Sequence, residues 1–113
     1  MFKIMAFMSR KPGLTREEFR DYYEQQHVKV VAEAAPRMRH YRRNFLIHDD
    51  KLSRSDGIEY DVVTEIEFED RASYETWRAA FRGPSGHRVA DDESKFLNTA
   101  RIHVCVVEVE ESY

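Results

Sequence analysis

The sequence predicts an α+β fold of the ferredoxin-like kind: a four-stranded antiparallel sheet, order of elements βαββαβ, with two main helices on one face. Three observations carry this. Four short segments rich in β-branched and aromatic residues alternate with two stretches of helical period, a helix-opening box stands at Thr15–Glu18, and the β-α-β unit occurs twice in 113 residues.

The first strand is expected at about Phe2–Ser9. Thr15 followed three residues later by Glu18 is a capping box, so a helix should begin there. Phe19, Tyr22, Tyr23, Gln26, His27, Val30 and Val31 then recur at helical spacing as one face to be buried, and Pro36 stops the helix at Ala35. Strands are expected at Met38–His48 and Tyr60–Phe68, joined by the polar segment 48–57. Asp70 caps a second helix through Tyr74, Trp77, Arg78 and Phe81, ended by Gly83-Pro84-Ser85-Gly86. Residues 82–98 read as a long irregular connection with a short helical turn around Asp92–Leu97, before a last strand at Ile102–Val109.

Composition narrows the class. A chain of 113 residues, 42% hydrophobic and 35% charged, is one domain spanning 1–113. The longest apolar run, Ile4–Met8, is five residues, far short of the roughly 20 of a membrane span, and no secretory segment opens the chain; a cytoplasmic protein without a membrane partner is expected. A net charge of −3 gives no electrostatic reason to expect nucleic acid, although Arg37, Arg39, Arg42 and Arg43 form a local basic cluster. Cys105, the single cysteine, reads as core packing. No nucleotide, flavin or metal motif is present; His40 and His48 share a strand face but would stand roughly 26 Å apart, and His87 reads as a surface residue, so neither cofactor nor metal is expected.

Strand one is apolar on both faces, with Phe2, Ile4, Ala6 and Met8 against Met5 and Phe7, and strand four repeats this with Ile102, Val104 and Val106 against Cys105, Val107 and Val109. Two helices cover one face, and the other would forfeit several kcal/mol in water at roughly 25 cal/mol per Å². A homodimer through the sheet faces is the expected solution; the alternative is a loop 82–98 folded over the free face.

His27 lies on the buried stripe of the first helix and is the leading general acid or base, set against a core histidine bonded to a carbonyl. Tyr23, one turn earlier, is its partner or another packing ring. If Val62, Ile66 and Phe68 face the helices, Asp61, Val63, Glu65 and Glu67 face a dimer cavity, where Glu65 would be a buried carboxylate suited to acid–base work, with His103 and Phe7 on the same side; for Asp61 and Glu67, near strand ends, the solvent-facing reading is the stronger. Tyr41 and Arg43 share one side of strand two and could bind an oxyanion or carboxylate, or merely guard a sheet edge.

The run Arg10-Lys11-Pro12-Gly13-Leu14-Thr15-Arg16-Glu17-Glu18-Phe19 leading to Tyr23 and His27, with Tyr41-Arg42-Arg43-Asn44, Glu65-Ile66-Glu67-Phe68-Glu69-Asp70 and Ala90-Asp91-Asp92-Glu93-Ser94-Lys95-Phe96, resembles the EthD family of the dimeric α/β-barrel superfamily. The resemblance implies a homodimeric barrel free of metal, flavin and haem, with a small organic substrate between sheet and helices. It also implies His27 as acid–base residue, Tyr41 as cavity partner and Glu65 as the acidic strand residue. The expected function is cofactor-independent proton transfer, a lyase, decarboxylase or isomerase acting on a small cyclic, aromatic or polyketide-like substrate. The alternatives are a cofactor-free monooxygenase and a non-catalytic binding protein of a degradation pathway.

Overall fold

The computed structural model describes residues 1–36 and 38–113; Arg37 of the basic cluster lies outside them. Strands β1 (Phe2–Met8), β2 (His40–Phe45), β3 (Val62–Phe68) and β4 (His103–Val107) form one sheet in the order β2-β3-β1-β4. All neighbouring pairs are antiparallel, with Ile4 opposite Ile66 and Val106, and Tyr41 also opposite Ile66. The expected strands are all present but trimmed at their ends, most in β2, which gives way at Leu46 to the connection leading to Asp61.

The capping box forms as the sequence predicts. Thr15 Oγ1 accepts from the Glu18 backbone N–H, and Glu18 Oε1 accepts from that of Thr15. The helix then runs as α1 (Arg16–Tyr22), a π-helical turn (Tyr23–His27) and α2 (Val28–Ala34). This turn has a packing reason. Phe19, Tyr23, His27 and Val31, all buried, are spaced by four, and in an uninterrupted α-helix each such step overshoots a full turn by about 40°. The wider π-turn absorbs the surplus and keeps all four on the inward side, Phe19 and Tyr23 against the sheet and Val31 against Val89 of α4. It also corrects the uniform stripe expected from sequence, because Gln26 turns out to solvent.

Asp70 caps α3 (Arg71–Arg82) through the Ser73 N–H. The segment after it departs from expectation: residues Pro84–Phe96 form a 13-residue helix, α4, in place of an irregular connection. Only Gly83 interrupts the two helices. Proline is a breaker inside a helix but suits the first position, where its missing N–H has no intrahelical partner to lose. Gly86, Val89, Asp92 and Phe96 are its buried residues, and Phe96 enters the core with Ala6, Met8, Phe19, Tyr23 and Val62. α4 therefore packs on the helical side and leaves the other sheet face free, which removes the loop cover considered above.

The sheet divides side chains cleanly. Ile4, Ala6, Met8, Tyr41, Phe45, Val62, Thr64, Ile66 and Phe68 face the helices. The opposite face carries Lys3, Met5, Phe7, His40, Arg42, Asn44, Glu65, Glu67, His103 and Cys105. Cys105 is exposed there and not in the core. Among the described residues no helix is long and apolar enough to cross a membrane.

Candidate functional site

A cavity of about 430 Å³ lies between sheet and helices. Its floor is Ile4, Ala6, Thr64 and Ile66, its far wall Tyr74, Trp77 and Phe81 of α3, and its open edge runs beside β4, where Val104 and Val106 are about half exposed. Polar groups enter this apolar space at few points: His27 and Tyr23 from the long helix, Tyr41 from β2, Thr64 from β3, Tyr74 and Arg78 from α3 and Glu93 from α4.

His27 is 4% exposed, and its Nδ1 lies 2.8 Å from Asp92 Oδ2. Asp92, itself buried, accepts on its other oxygen from the Tyr22 hydroxyl at 2.5 Å. With Tyr22 donating to one Asp92 oxygen, the other is assigned as acceptor too, so the shared hydrogen is placed on Nδ1 and the Nε2 lone pair is left for the cavity. No described residue is bonded to Nε2. Phe96, its ring 4.7 Å from the imidazole and stacked on Tyr22, closes the pair from behind. Burial pushes the His27 pKa down, and the Asp92 hydrogen bond and charge oppose this only in part, so the ring is neutral near pH 7. Tyr22 is raised to about 12, chiefly by burial and then by Asp92, and remains a donor throughout.

The lowered His27 pKa fixes a sign. The folded state binds fewer protons than the unfolded chain as pH falls past the ordinary histidine value of 6.5, so this residue withdraws stability in acid. Urea midpoints of the parent and His27→Gln, measured from pH 8 to pH 5, should converge toward acid pH; a constant gap contradicts the shift.

A second hydroxyl chain stands beside the first. Tyr41 Oη donates to Tyr23 Oη at 3.1 Å, and Tyr23 Oη lies 2.8 Å from Thr64 Oγ1. Burial raises both phenols, Tyr41 well above its ordinary value, so both stay neutral donors. Arg43 serves this chain from outside. Its Nε and Nη2 donate to the two carboxylate oxygens of Glu24 at 2.8 and 2.7 Å, and its guanidinium lies 4.7 Å over the Tyr41 ring. It braces Tyr41 and does not line the cavity.

The remaining sequence candidates lie outside this cavity, most of them on the opposite face of the sheet. Glu65 points to the opposite face, where it meets Lys3 in an ion pair, accepts from Asn44 at 2.8 Å and stays ionised, its pKa lowered by Lys3 and then Asn44. His103 Nδ1 lies 2.9 Å from the Tyr60 hydroxyl, and Phe7 packs on the Tyr60 ring, all on that same side. Asp61 accepts from the Arg10 backbone N–H at 2.8 Å at the end of β3. None of Glu65, Asp61, His103 and Phe7 meets His27. The residues missed were Asp92 and Glu93. Their signal was present: with α4 drawn as a helix, Asp92 falls three residues after Val89 and four before Phe96, an acid on an apolar stripe.

The EthD domain family matches residues 11–100. No curated protein matches significantly. Among solved structures, an EthD family protein from Bacillus halodurans superposes with a TM-score of 0.66 at 17% identity, covering 97% of this chain and 100% of its own. A hydroxynitrile lyase from Passiflora edulis gives 0.65 at 15% identity, covering 99% and 95%. A dimeric ferredoxin-like protein from Thermobifida fusca gives 0.57 at 14% identity, covering 96% and 90%. At such identities these similarities establish a shared fold.

Proposed function

The chain belongs to the EthD family, and on that premise we propose that it is an enzyme of redox-neutral proton-transfer chemistry, a lyase, decarboxylase or isomerase, acting on a small, largely apolar ring compound held between sheet and helices. The observation that carries this reading is the His27–Asp92 pair, which leaves a neutral imidazole nitrogen facing an aromatic-walled cavity. His27 Nε2 takes the proton from a substrate hydroxyl or activated carbon. Asp92 holds the tautomer in which Nε2 can accept, and stabilises the imidazolium that results. The Tyr23 hydroxyl accepts from Tyr41, stays protonated because burial raises its pKa, and with Thr64 turned to donate to it has its single O–H left for the oxygen on which negative charge develops.

The fold shared with a hydroxynitrile lyase favours the lyase branch and supplies the first probe. A homodimer accords with the dimeric ferredoxin-like neighbour and with the free sheet face, where Met5, Phe7 and Val107 are only half-covered by this chain.

The test is a panel of mandelonitrile, an aryl β-keto acid and an unsaturated lactone, followed by proton NMR for cleavage, decarboxylation or double-bond migration. His27→Gln should lower kcat by about 10²-fold or more on whichever compound turns over, with thermal unfolding still cooperative. Retention of turnover in that variant removes His27 as the base. Saturable binding of these compounds without turnover favours the binding-protein reading instead.

A further inference from the structure

A base alone does not complete such a reaction. Cleavage or isomerisation leaves an electron pair on a departing fragment or a neighbouring carbon, and that pair needs a proton. Glu93 is suitably placed to supply one. It stands on α4, one helical turn after the buried Val89 and next to Asp92, and it lines the same cavity as His27. Among the described residues its carboxyl group accepts no hydrogen bond and has no ion-pair partner within 4 Å, whereas the other carboxylate turned toward this interior, Asp92, is bonded on both oxygens.

We propose that Glu93 is the general acid of the cavity, the residue that delivers the second proton of the reaction, an assignment that rests on the reading of His27 as base. In the lyase case the substrate hydroxyl proton passes to His27 Nε2, the C–C bond breaks with its electron pair leaving on the departing fragment, and the Glu93 carboxyl proton goes to that fragment. The products are a carbonyl compound and a protonated fragment. The cycle closes when the imidazolium returns its proton to the Glu93 carboxylate, directly or through solvent, and no oxidant or reductant takes part.

The surroundings keep a large share of Glu93 in the acid form this role requires. The groups sharing the cavity are Tyr23 and His27 from the long helix, Tyr41 from β2, and Tyr74 and Arg78 from α3. Of these only Arg78 is a fixed cation, and it makes no ion pair with Glu93. Burial, and then the negative charge of Asp92, raise the Glu93 pKa to about 7. Base and acid are thus displaced in opposite directions, His27 downward and Glu93 upward, so that near neutrality an unprotonated base stands beside a carboxyl group of which about half still carries its proton.

Two measurements on the full chain test this. In the unliganded protein labelled with ¹³C at glutamate carboxyls, the resonance absent from Glu93→Gln should titrate near 7; a midpoint in the ordinary glutamate range near 4.5 overturns the proposal even if no panel compound reacts. On a compound that does turn over, Glu93→Gln should lose about 10²-fold in kcat with KM within a few-fold, and the alkaline limb of kcat/KM should disappear, which a merely structural residue would not cause. Full turnover in Glu93→Gln beside a dead His27→Gln overturns the assignment of Glu93 and leaves the base standing. Full turnover in His27→Gln is the different failure, that of the underlying reading.

Discussion

Asp92→Asn should abolish nearly all turnover while leaving the fold intact, a fall in kcat of about 10²–10⁴-fold. The size of the effect follows from which way the new amide must face. Tyr22 donates its hydroxyl to Oδ1 of Asp92, and a phenol kept protonated to about pH 12 continues to require an acceptor there. The asparagine oxygen therefore takes the Tyr22 side and its NH₂ group takes the place of Oδ2, 2.8 Å from His27 Nδ1. A donor at that point forces Nδ1 to accept. The proton moves to Nε2, and the nitrogen facing the cavity can no longer remove one from substrate. Size and packing are preserved, so the thermal midpoint should shift by only a few degrees. Nitrogen-15 NMR of the imidazole should report the Nδ1–H tautomer in the parent and the Nε2–H tautomer in the variant; an unchanged tautomer contradicts the argument.

Gly86→Ala should be the most damaging single substitution for stability outside the aromatic core. A Cβ built on Gly86 falls 1.6 Å from the carbonyl oxygen and 2.5 Å from the carbonyl carbon of Phe81. Both are backbone atoms of α3 and cannot rotate away, so the first turn of α4 would have to part from the last turn of α3. That separation moves the Val89, Asp92 and Phe96 side of α4, and with it the partner of His27. Overpacking against rigid backbone costs about 3 kcal/mol, which for a domain of this size corresponds to a fall of about 10 °C or more in the unfolding midpoint. Gly83→Ala supplies the contrast: its Cβ would meet only Ala80 O at 3.6 Å and Ala79 O at 3.8 Å, ordinary contacts, and the midpoint should scarcely change.

These two residues also mark where the sequence was legible and where it was not. The capping box at Thr15, the stop at Pro36 and the Asp70 cap were readable because each is a local rule: a side chain satisfying a backbone N–H, or a ring that removes one. His27 was readable because it shares a stripe with Phe19, Tyr23 and Val31. Asp92 escaped because Gly83-Pro84-Ser85-Gly86 carries a strong breaker composition, and the same proline that stops one helix is well suited to open the next. Glu65 was misplaced for a different reason. The alternation of β3 correctly puts it on the other face of the sheet from Ile66, but alternation cannot say on which side of a sheet a cavity lies when both sides carry apolar residues. The depth of α4 against the helical side decides that, and it is a long-range contact.

The π-turn of Tyr23–His27 makes the position of the imidazole a matter of counting. A turn of this kind is one residue more than an α-helix needs, and the direction of His27 depends on that surplus being kept and not on the identity of the residues that provide it. Gln25 and Gln26 lie in it exposed to solvent, so exchanging their side chains should leave His27 in place while deleting either residue should not. The long helix is in this sense a vernier: two rods, Arg16–Tyr22 seated by Phe19 against the sheet and Val28–Ala34 seated by Val31 and Ala34 against Val89 of α4, offset by the one residue that brings His27 into line with Asp92.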